Sequence, residues 1–416
     1  MLKNWFLKIQ RREEGCKYWL KEGVKKLSKE NKSLTVLLIF TFFMVVGFEM
    51  IMPLIIGHYV NNLNFLATKV AFALSVRKFS QQGLAMVGGI LADRNDIKKI
   101  ISIGMLLRTF GFFSLGFADN FPVLLICMVL IGFGGVLFEA PYQTAIASLT
   151  TDENRKKYYS LNNTVVGIAS TFGPLIGALM LRFDFSVVCF CAAFCFFINF
   201  LLCVIALPSI IRKNKTLSVK ESLNIIKNDK RYIHYTLLMI VFWLSASQID
   251  ISFPLKVQEI SGNPESVSWM YSIYAAVTAI VQYPLISFLS KRYPSIQIIV
   301  FGISFIALAL FLVPTASTTT EILVIVVIFT LGMLMSRPNQ QSIAIEIAKD
   351  EAKGAYLGFN YLGFAFGSGF GTLIGGIFFD LSQKLGFYNL QWYLYFLVAI
   401  VATIGFYRFK RNIDTI

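Results

Sequence analysis

The chain alternates long apolar runs with short polar segments, and each run is long enough to cross a lipid bilayer. A membrane-spanning helix needs about 20 mostly apolar residues. Such windows number twelve, six in each half of the chain. They lie near residues 34–60, 66–92, 99–118, 121–147, 159–182, 184–207, 232–258, 267–290, 294–314, 320–346, 355–380 and 388–408.

The length and uniformity of these runs exclude the alternative spanning architecture. Strands of a membrane barrel are about 10 residues long and alternate in polarity, whereas these runs are longer and apolar throughout. In lipid every backbone polar group must be bonded internally, which favours helices. Only 15% of the 416 residues are charged, against about 25% in a soluble domain. The sequence therefore predicts an all-α membrane protein with twelve transmembrane helices.

The positive charges predict the orientation of these helices. The net charge is +15, and 30 of the 38 basic residues fall on one side if both termini are cytoplasmic. Lys and Arg concentrate in cytoplasmic loops of membrane proteins. We therefore interpret residues 1–33 as a cytoplasmic basic segment, 208–231 as a cytoplasmic linker and 410–416 as a cytoplasmic tail. The charge indicates topology and contact with anionic lipid, not binding to nucleic acid.

The two halves of the sequence resemble each other, which predicts two pseudo-symmetric six-helix bundles at 34–207 and 232–409. Repeated six-helix units are a known transporter architecture with a substrate site near the bilayer midplane between the halves. Three pairs of segments match in order. They are EMIMPL at 49–54 with DISFPL at 250–255, GVLFEAPYQ at 135–143 with GMLMSRPNQ at 332–340, and GPLIG at 173–177 with GTLIG at 371–375.

The loop after the second run carries a specific motif. Residues 88–99 read GGILADRNDIKK, which resembles the signature loop of the major facilitator superfamily. In that family the loop is a cytoplasmic latch, so the resemblance assigns Gly89, Asp93 and Arg94 to a latch, with Arg108 as its support. Small residues permit close helix packing, and we expect the glycines to bring helices 2 and 11 together.

The fifth run carries a second motif. Residues 169–178 read ASTFGPLIGA, similar to the helix-bending motif of the drug:proton antiporter group in the same superfamily. The matching positions are Gly173, Pro174 and Gly177, while alanines replace two of the usual glycines. Met128 stands where the family has an arginine in its fourth helix. Both departures weaken the inference of antiport.

Several further segments resemble one multidrug-exporter subgroup of this superfamily; they are RKFSQQG at 77–83, GMLLR at 104–108, FDF at 183–185 and WMY at 269–271. The resemblance implies proton-coupled export of small organic compounds by a monomeric, multi-pass protein of the inner (plasma) membrane. An exporter of siderophores or other organic anions is the alternative within transport, followed by an importer or facilitator and by a non-transporting receptor. No catalytic motif, metal-binding spacing or cofactor site is expected, so the chain is not predicted to be an enzyme.

Charged residues inside the apolar runs are the best indicators of a transport pathway, because burying them in lipid is costly. Glu49 and Asp250 occupy matching positions, each four residues before a proline. We interpret them as the leading proton-coupling or substrate-binding candidates, followed by Glu139, Arg77, Arg337 and Gln81. A structural ion pair, such as Glu139 with Arg337 between the halves, is the alternative. Lys78 and Lys256 are interpreted as side chains that reach towards an interface.

Overall fold

The computed structural model of the protein describes residues 32–150, 152–211, 226–263, 265–349 and 353–413. These residues form helices joined by short turns, and no strand occurs among them. The all-helical prediction is therefore confirmed. Almost all of the predicted basic segment 1–33, most of the linker 208–231 and the end of the tail 410–416 lie outside the described residues.

The described part of the first half contains eight α-helices, and a π-helical turn, Gly57–Asn62, follows the second of them. The α-helices are α1 (Lys32–Glu49), α2 (Met52–Ile56), α3 (Ala67–Gly83), α4 (Ala85–Arg94), α5 (Ile97–Leu115), α6 (Phe121–Leu149), α7 (Asp152–Leu181) and α8 (Phe185–Ala206).

Among the residues described from 226 onwards there are seven α-helices, with 3₁₀ turns at Ser247–Asp250 and Val313–Thr315. The α-helices are α9 (Lys230–Ala246), α10 (Ser252–Ser261), α11 (Glu265–Leu289), α12 (Ser295–Leu312), α13 (Thr319–Glu346), α14 (Lys353–Leu385) and α15 (Leu390–Ile413).

Ten helical segments of the described chain are long and apolar enough to cross a membrane. Ten of the twelve predicted spans are thus recovered. The predicted second and third spans are also helical, but α3 and α4 are separated at Leu84, and α5 carries Lys98, Lys99 and Arg108. Because of the break in one and the three charges in the other, these two spans are not among the ten long, apolar helical segments.

Both helices that carry the leading acidic candidates are interrupted at the acid itself. Helix α1 ends at Glu49, four residues before Pro53, and the 3₁₀ turn ends at Asp250, four residues before Pro254. Proline lacks the N–H that would bond the carbonyl four residues earlier, and its ring clashes with that carbonyl. Each proline therefore frees the backbone carbonyl of the acid and ends the regular helix there.

The helices of the two halves pack in matching patterns. In the first half α1 packs on α7 and α8, α5 on α6 and α8, and α3 on α6. In the second half α9 packs on α14 and α15, α12 on α13 and α15, and α11 on α13. Two clusters of buried apolar residues follow this division, one drawn mainly from 34–207 and the other from 235–409. Between the halves, α3 packs on α14 and α7 packs on α11.

Glycine pairs set the closest helix contacts at equivalent places in each half. A Cβ on Gly134 of α6 would meet the Gly104 carbonyl at 2.6 Å, and a Cβ on Gly332 of α13 would meet the Gly302 carbonyl at 2.5 Å. Gly134 and Gly332 are 198 residues apart. The sequence comparison paired Gly135 with Gly332 instead, so its register is wrong by one residue at this contact.

We expect Gly177→Ala to destabilise the protein, because a Cβ there would lie 2.1 Å from the Met50 carbonyl oxygen of the facing chain segment. Forcing α7 away from this backbone should cost about 1–3 kcal/mol. Thermal unfolding in detergent, followed by size-exclusion chromatography, measures the effect. Gly167→Ala on the same helix is the matched control, since its nearest neighbour lies at an ordinary 3.4 Å. Equal melting curves for the two variants would contradict the packing.

Candidate transport site

The charged residues predicted from the apolar runs gather where the two halves face each other. Glu49 lies near enough to Asp250, Arg77 and Arg337 to sense their charges. Arg77 in turn senses Glu139 as well as the two other acids. The structure thus brings together five of the six predicted candidates as one charged cluster, and Gln81 joins it through a hydrogen bond from the Arg77 guanidinium at 3.2 Å.

An ion pair within this cluster joins the two halves directly. Lys78 Nζ on α3 lies 2.7 Å from Asp250 Oδ2. It also donates to Ser368 Oγ at 2.9 Å and to Thr372 Oγ1 at 2.7 Å, both on α14. The Lys78 side chain is 8% exposed, whereas that of Asp250 is 41% exposed. The interpretation of Lys78 as a side chain that reaches towards an interface is therefore wrong.

Glu139 is held within its own half of the chain. Its carboxylate accepts hydrogen bonds from the side-chain amides of Gln81 and, at 3.2 Å, Gln82. The positive charges that act on it belong to Arg108 and Arg77. Four residues of the first half therefore surround this acid.

Arg337 is also held within its own half. Its guanidinium lies 5.6 Å above the Trp243 ring and beside the Tyr274 hydroxyl. The hypothesis of a Glu139–Arg337 ion pair between the halves is not what the structure shows. Within the charged cluster, the ion pair between the halves is Lys78–Asp250, because α3 rather than α6 packs against α14.

Arg108, predicted as a support of the latch, lies deep within the first half. The side chain is fully buried among three rings, with its guanidinium 5.7 Å from Phe48 and 5.6 Å from both Phe138 and Phe196. An arginine over aromatic faces gains from cation–π attraction. The structure thus places Arg108 with the Glu139 group and eleven residues beyond the start of α5.

The glycines of the signature loop do not pack as the sequence led us to expect. A Cβ on Gly88 would meet the Val136 carbonyl oxygen at 2.2 Å, and the nearest neighbour of Gly89 is Ala140 at 3.9 Å. Both neighbours lie on α6, the fourth span, and not on the eleventh. Arg94 is the last residue of α4, and the side chain of Asp93 lies outside the described residues.

Asp96 is a residue of this loop that sequence reasoning missed. Its carboxylate caps α5 through Lys98 N at 3.1 Å and accepts from Ser209 Oγ at 2.7 Å and Ile210 N at 3.1 Å. Burial alone would raise the pKa of Asp96, but these hydrogen bonds and the Lys99 charge together lower it. The loop is thereby tied to the chain that follows α8. An aspartate directly before a helix signals such a cap, but its partner 113 residues away leaves no local signal.

The antiporter-like motif packs against the first of the two interrupted helices. A Cβ on Gly173 would lie 2.8 Å from the Glu49 Cβ, and one on Gly177 would lie 2.1 Å from the Met50 carbonyl oxygen. Pro174 lies between them inside the continuous helix α7. The motif therefore sets how closely α7 approaches the break at Glu49.

Two tyrosines of α11 complete the cluster and were not predicted. The Tyr271 hydroxyl donates to the Ile249 carbonyl at 3.1 Å, beside the interruption of the seventh span. Tyr271 and Tyr274 both lie close to Asp250 and Glu49. Tyrosines are common in apolar spans, so sequence alone offers no sign that these two face the charges.

Comparison with known proteins places this geometry in a family. The family model described as Major Facilitator Superfamily matches residues 37–344 and 233–412. The chain belongs to the major facilitator superfamily. It is therefore a multi-pass membrane transporter, in agreement with the resemblance noted at residues 88–99.

Relatives and a solved structure agree with this assignment. The chain is 32% identical over 371 residues to the multidrug resistance protein MdtH of Yersinia enterocolitica, covering 89% of this chain and 92% of the relative. It is 32% identical over 378 residues to the MdtH protein of Proteus mirabilis, covering 91% and 94%. A crystal structure of a POT family transporter in complex with a thioalcohol conjugated peptide superposes with a TM-score of 0.76, at 17% identity, over 92% and 96% of the chains.

Proposed function

We propose that this superfamily member is a secondary transporter that exports small organic compounds in exchange for protons. The observation that carries the proposal is the ion pair between Lys78 and Asp250, which joins the two halves within their apolar spans while the acid keeps 41% of its side chain exposed. A carboxylate inside a span that is both paired and reachable by water has the properties of a proton carrier. The names of the MdtH relatives support organic compounds as cargo.

Twelve transmembrane helices in two six-helix bundles are part of the proposal. Matching packing partners in the two halves and two separate apolar clusters support this arrangement. The bundles would comprise residues 34–207 and 232–409, joined by the linker 208–231. Such repeats allow alternating access, in which one bundle rocks against the other around a central site.

Contacts at one end of the helices support alternating access. We define the far side as the helix ends around residues 62–67, 181–185, 261–265 and 385–390. There Asp380 on α14 accepts hydrogen bonds from the backbone N–H groups of Ala67 at 3.0 Å and Thr68 at 2.8 Å. Arg182 pairs with Glu265 at 3.3 Å. These contacts join the halves on the far side, and transport to that side requires that they break.

Among the acids, Asp250 is the first candidate for proton exchange and Glu49 is the second. Both stand at a helix interruption where regular backbone bonding ends, which lets water reach the residue. Of these two acids, Asp250 is the one that bonds directly to the opposite half. Its protonation therefore has an immediate effect on how the two halves are held together.

An exporter of siderophores or other organic anions is the second candidate function. Arg337 favours it, because this arginine is exposed although it lies within the α13 span. Arg77 and Arg108 are buried and do not add to an anion site. The exposed Arg337 guanidinium lies near the half-buried acid Glu49. One positive and one negative group suit a zwitterionic substrate better than a polyanion.

For the topology, we expect a cysteine at position 120 to react with a membrane-impermeant maleimide added to intact cells, and a cysteine at position 215 to stay unlabelled. The basic residues concentrate on the side of position 215, which the positive-inside rule places in the cytoplasm. Labelling of position 215 after cell lysis is the control. Labelling of 215 in intact cells would invert the proposed orientation.

For the signature loop, we expect Asp93→Asn to reduce transport at least about tenfold at normal membrane expression. The acid is proposed to act in the switching of the carrier, as the latch of the superfamily does, and less in its folding. Flux and expression are measured side by side, with the exposed Asn95→Asp in the same loop as the control. A normal transport rate for Asp93→Asn would show that the loop is a solvated turn without a role in switching.

The proposed export is tested in cells that lack their principal drug exporters. Cells that express the chain should accumulate less ethidium than cells with an empty vector, and a protonophore should abolish the difference. A difference that survives the protonophore would exclude proton coupling. No difference for ethidium, a quinolone zwitterion or a siderophore would contradict export of all three substrate classes.

A further inference from the structure

The ammonium group of Lys78 occupies a pocket of three oxygens that belongs to the opposite half of the chain. The oxygens are Asp250 Oδ2, Ser368 Oγ and Thr372 Oγ1, at 2.7, 2.9 and 2.7 Å from Nζ. An ammonium has three N–H donors and no acceptor. Each donor thus has one acceptor, and the lysine fits this pocket as a bound cation would.

The surface that carries Lys78 lies along the contact between α3 and α14. On the same helix Ser75 Oγ donates to the Gly369 carbonyl at 2.7 Å, and the Phe79 ring lies 2.6 Å from where a Cβ on Gly369 would be. Nearer the far side, a Cβ on Gly376 would lie 2.4 Å from the Ala71 Cβ and 2.6 Å from the Ala67 carbonyl oxygen. If the far side opens, α3 must move away from α14, and Lys78 must leave the three oxygens with it.

We propose that Lys78 is a tethered cation that displaces the transported proton from Asp250 each time the far side closes. The inference rests on the proposed proton exchange and adds the residue that releases the proton. With the far side open, Asp250 has lost its lysine and binds a proton from that side. When the halves close, Lys78–NH₃⁺ enters the pocket, the Asp250 carboxyl loses its proton to water on the opposite side, and the carboxylate–ammonium pair re-forms.

The charges around Asp250 support a displacement of this kind. The groups that face it from the packed elements are Lys78 and Arg77 on α3, Glu49 at the end of α1, and Tyr271 and Tyr274 on α11. The first half therefore brings two cations and one acid to Asp250 on closing. The Lys78 ammonium is buried, so it is unfavourable for it to enter the pocket unless Asp250 is ionised, and the lysine and the proton exclude each other.

The test measures how the far side responds to pH without any transported substrate. Spin labels replace Phe183 and Phe387, two exposed residues on far-side turns of opposite halves, in a chain whose six cysteines are changed to alanine. In liposomes we expect the ratio of long to short label distances to rise as pH falls from 8 to 5. For one linked proton the rise is at most about tenfold per pH unit.

Lys78→Gln should abolish this response, and Lys78→Arg should retain it because the positive charge remains. Lys69→Gln is the matched control, since Lys69 is an exposed lysine of the same helix and should respond as the parent chain does. A parental response in Lys78→Gln, or no response in the parent chain, would overturn the inference. Failure of the proposed function would instead appear as absent substrate flux while the pH response persists.

Discussion

Asp250→Asn is expected to abolish proton-driven accumulation of substrate while substrate counterflow continues. Asparagine can still accept a hydrogen bond from Lys78, so the contact that closes the two halves is retained in part. It cannot bind and release a proton, and the gradient then has no carboxyl on which to act. In proteoliposomes we expect accumulation to fall at least about tenfold, into the background, whereas exchange of labelled for unlabelled ethidium should stay within about threefold of the unmodified protein.

Two further variants show whether this effect is specific to Asp250. Asp119→Asn removes an exposed acid from the turn between α5 and α6 and should leave accumulation unchanged. Glu49→Gln should reduce accumulation by less than Asp250→Asn, because Glu49 senses Asp250 but does not bond to the opposite half. If Asp250→Asn loses binding of cationic substrates but keeps binding of neutral ones, Asp250 is a residue that selects the substrate. Full accumulation in both Asp250→Asn and Glu49→Gln would remove these acids from the mechanism.

Removal of either charge of the Arg108–Glu139 group is expected to lower the stability of the protein. Arg108→Met fills the space between the phenylalanine rings but leaves Glu139 with Arg77 as its remaining cation. Glu139→Gln leaves Arg108 buried without an acid. Arg108 and Glu139 attract each other inside the first half, so removal of one of the two charges should cost about 1–3 kcal/mol, with the smaller loss for Arg108→Met because Arg77 stays. Thermal unfolding in detergent measures both.

The double variant Arg108→Met with Glu139→Gln completes the comparison. With both charges removed, its unfolding temperature should recover to above that of either single variant, which corresponds to a coupling energy at least as large as the larger of the two single losses. Transport should stay low, because Gln81 and Gln82 lose the acid that orders them. Additive losses in the double variant would show that the two charges act independently.

The helices and their interruptions were predictable because their causes are local. A run of about 20 apolar residues dictates a spanning helix in lipid, and Pro53 and Pro254 favour a break at the residue four positions earlier, although Pro174 stands inside the continuous helix α7. Glu49 and Asp250 stand at those two positions. The two spans with less apolar sequence, at 66–92 and 99–118, lie at the limit of this reasoning, since buried charges such as Lys78 and Arg108 reduce their apolarity.

Pairing between distant residues was not predictable, because spacing gives the depth of a side chain in the membrane but not the direction in which it points. Lys78 was assigned to an interface, although it lies in a pocket formed by residues up to 294 positions away. Gly88 was assigned to helix 11 and instead contacts α6. Each of these outcomes depends on how a helix is rotated within its bundle, which apolar runs with little periodicity do not specify.

Proton-coupled transport is tested most directly by flux into proteoliposomes that contain the purified protein and no other transporter. Vesicles are loaded with buffer at pH 6 and diluted into buffer at pH 8 or pH 6 with ethidium, a quinolone zwitterion or a siderophore outside. Liposomes without protein are the control. If substrate is exchanged for protons, at least one compound should accumulate against its concentration gradient, and only when the pH gradient is present. The pH of the lumen should rise during this uptake. Asp250→Asn should abolish both effects. Equal uptake with and without the gradient would contradict this exchange.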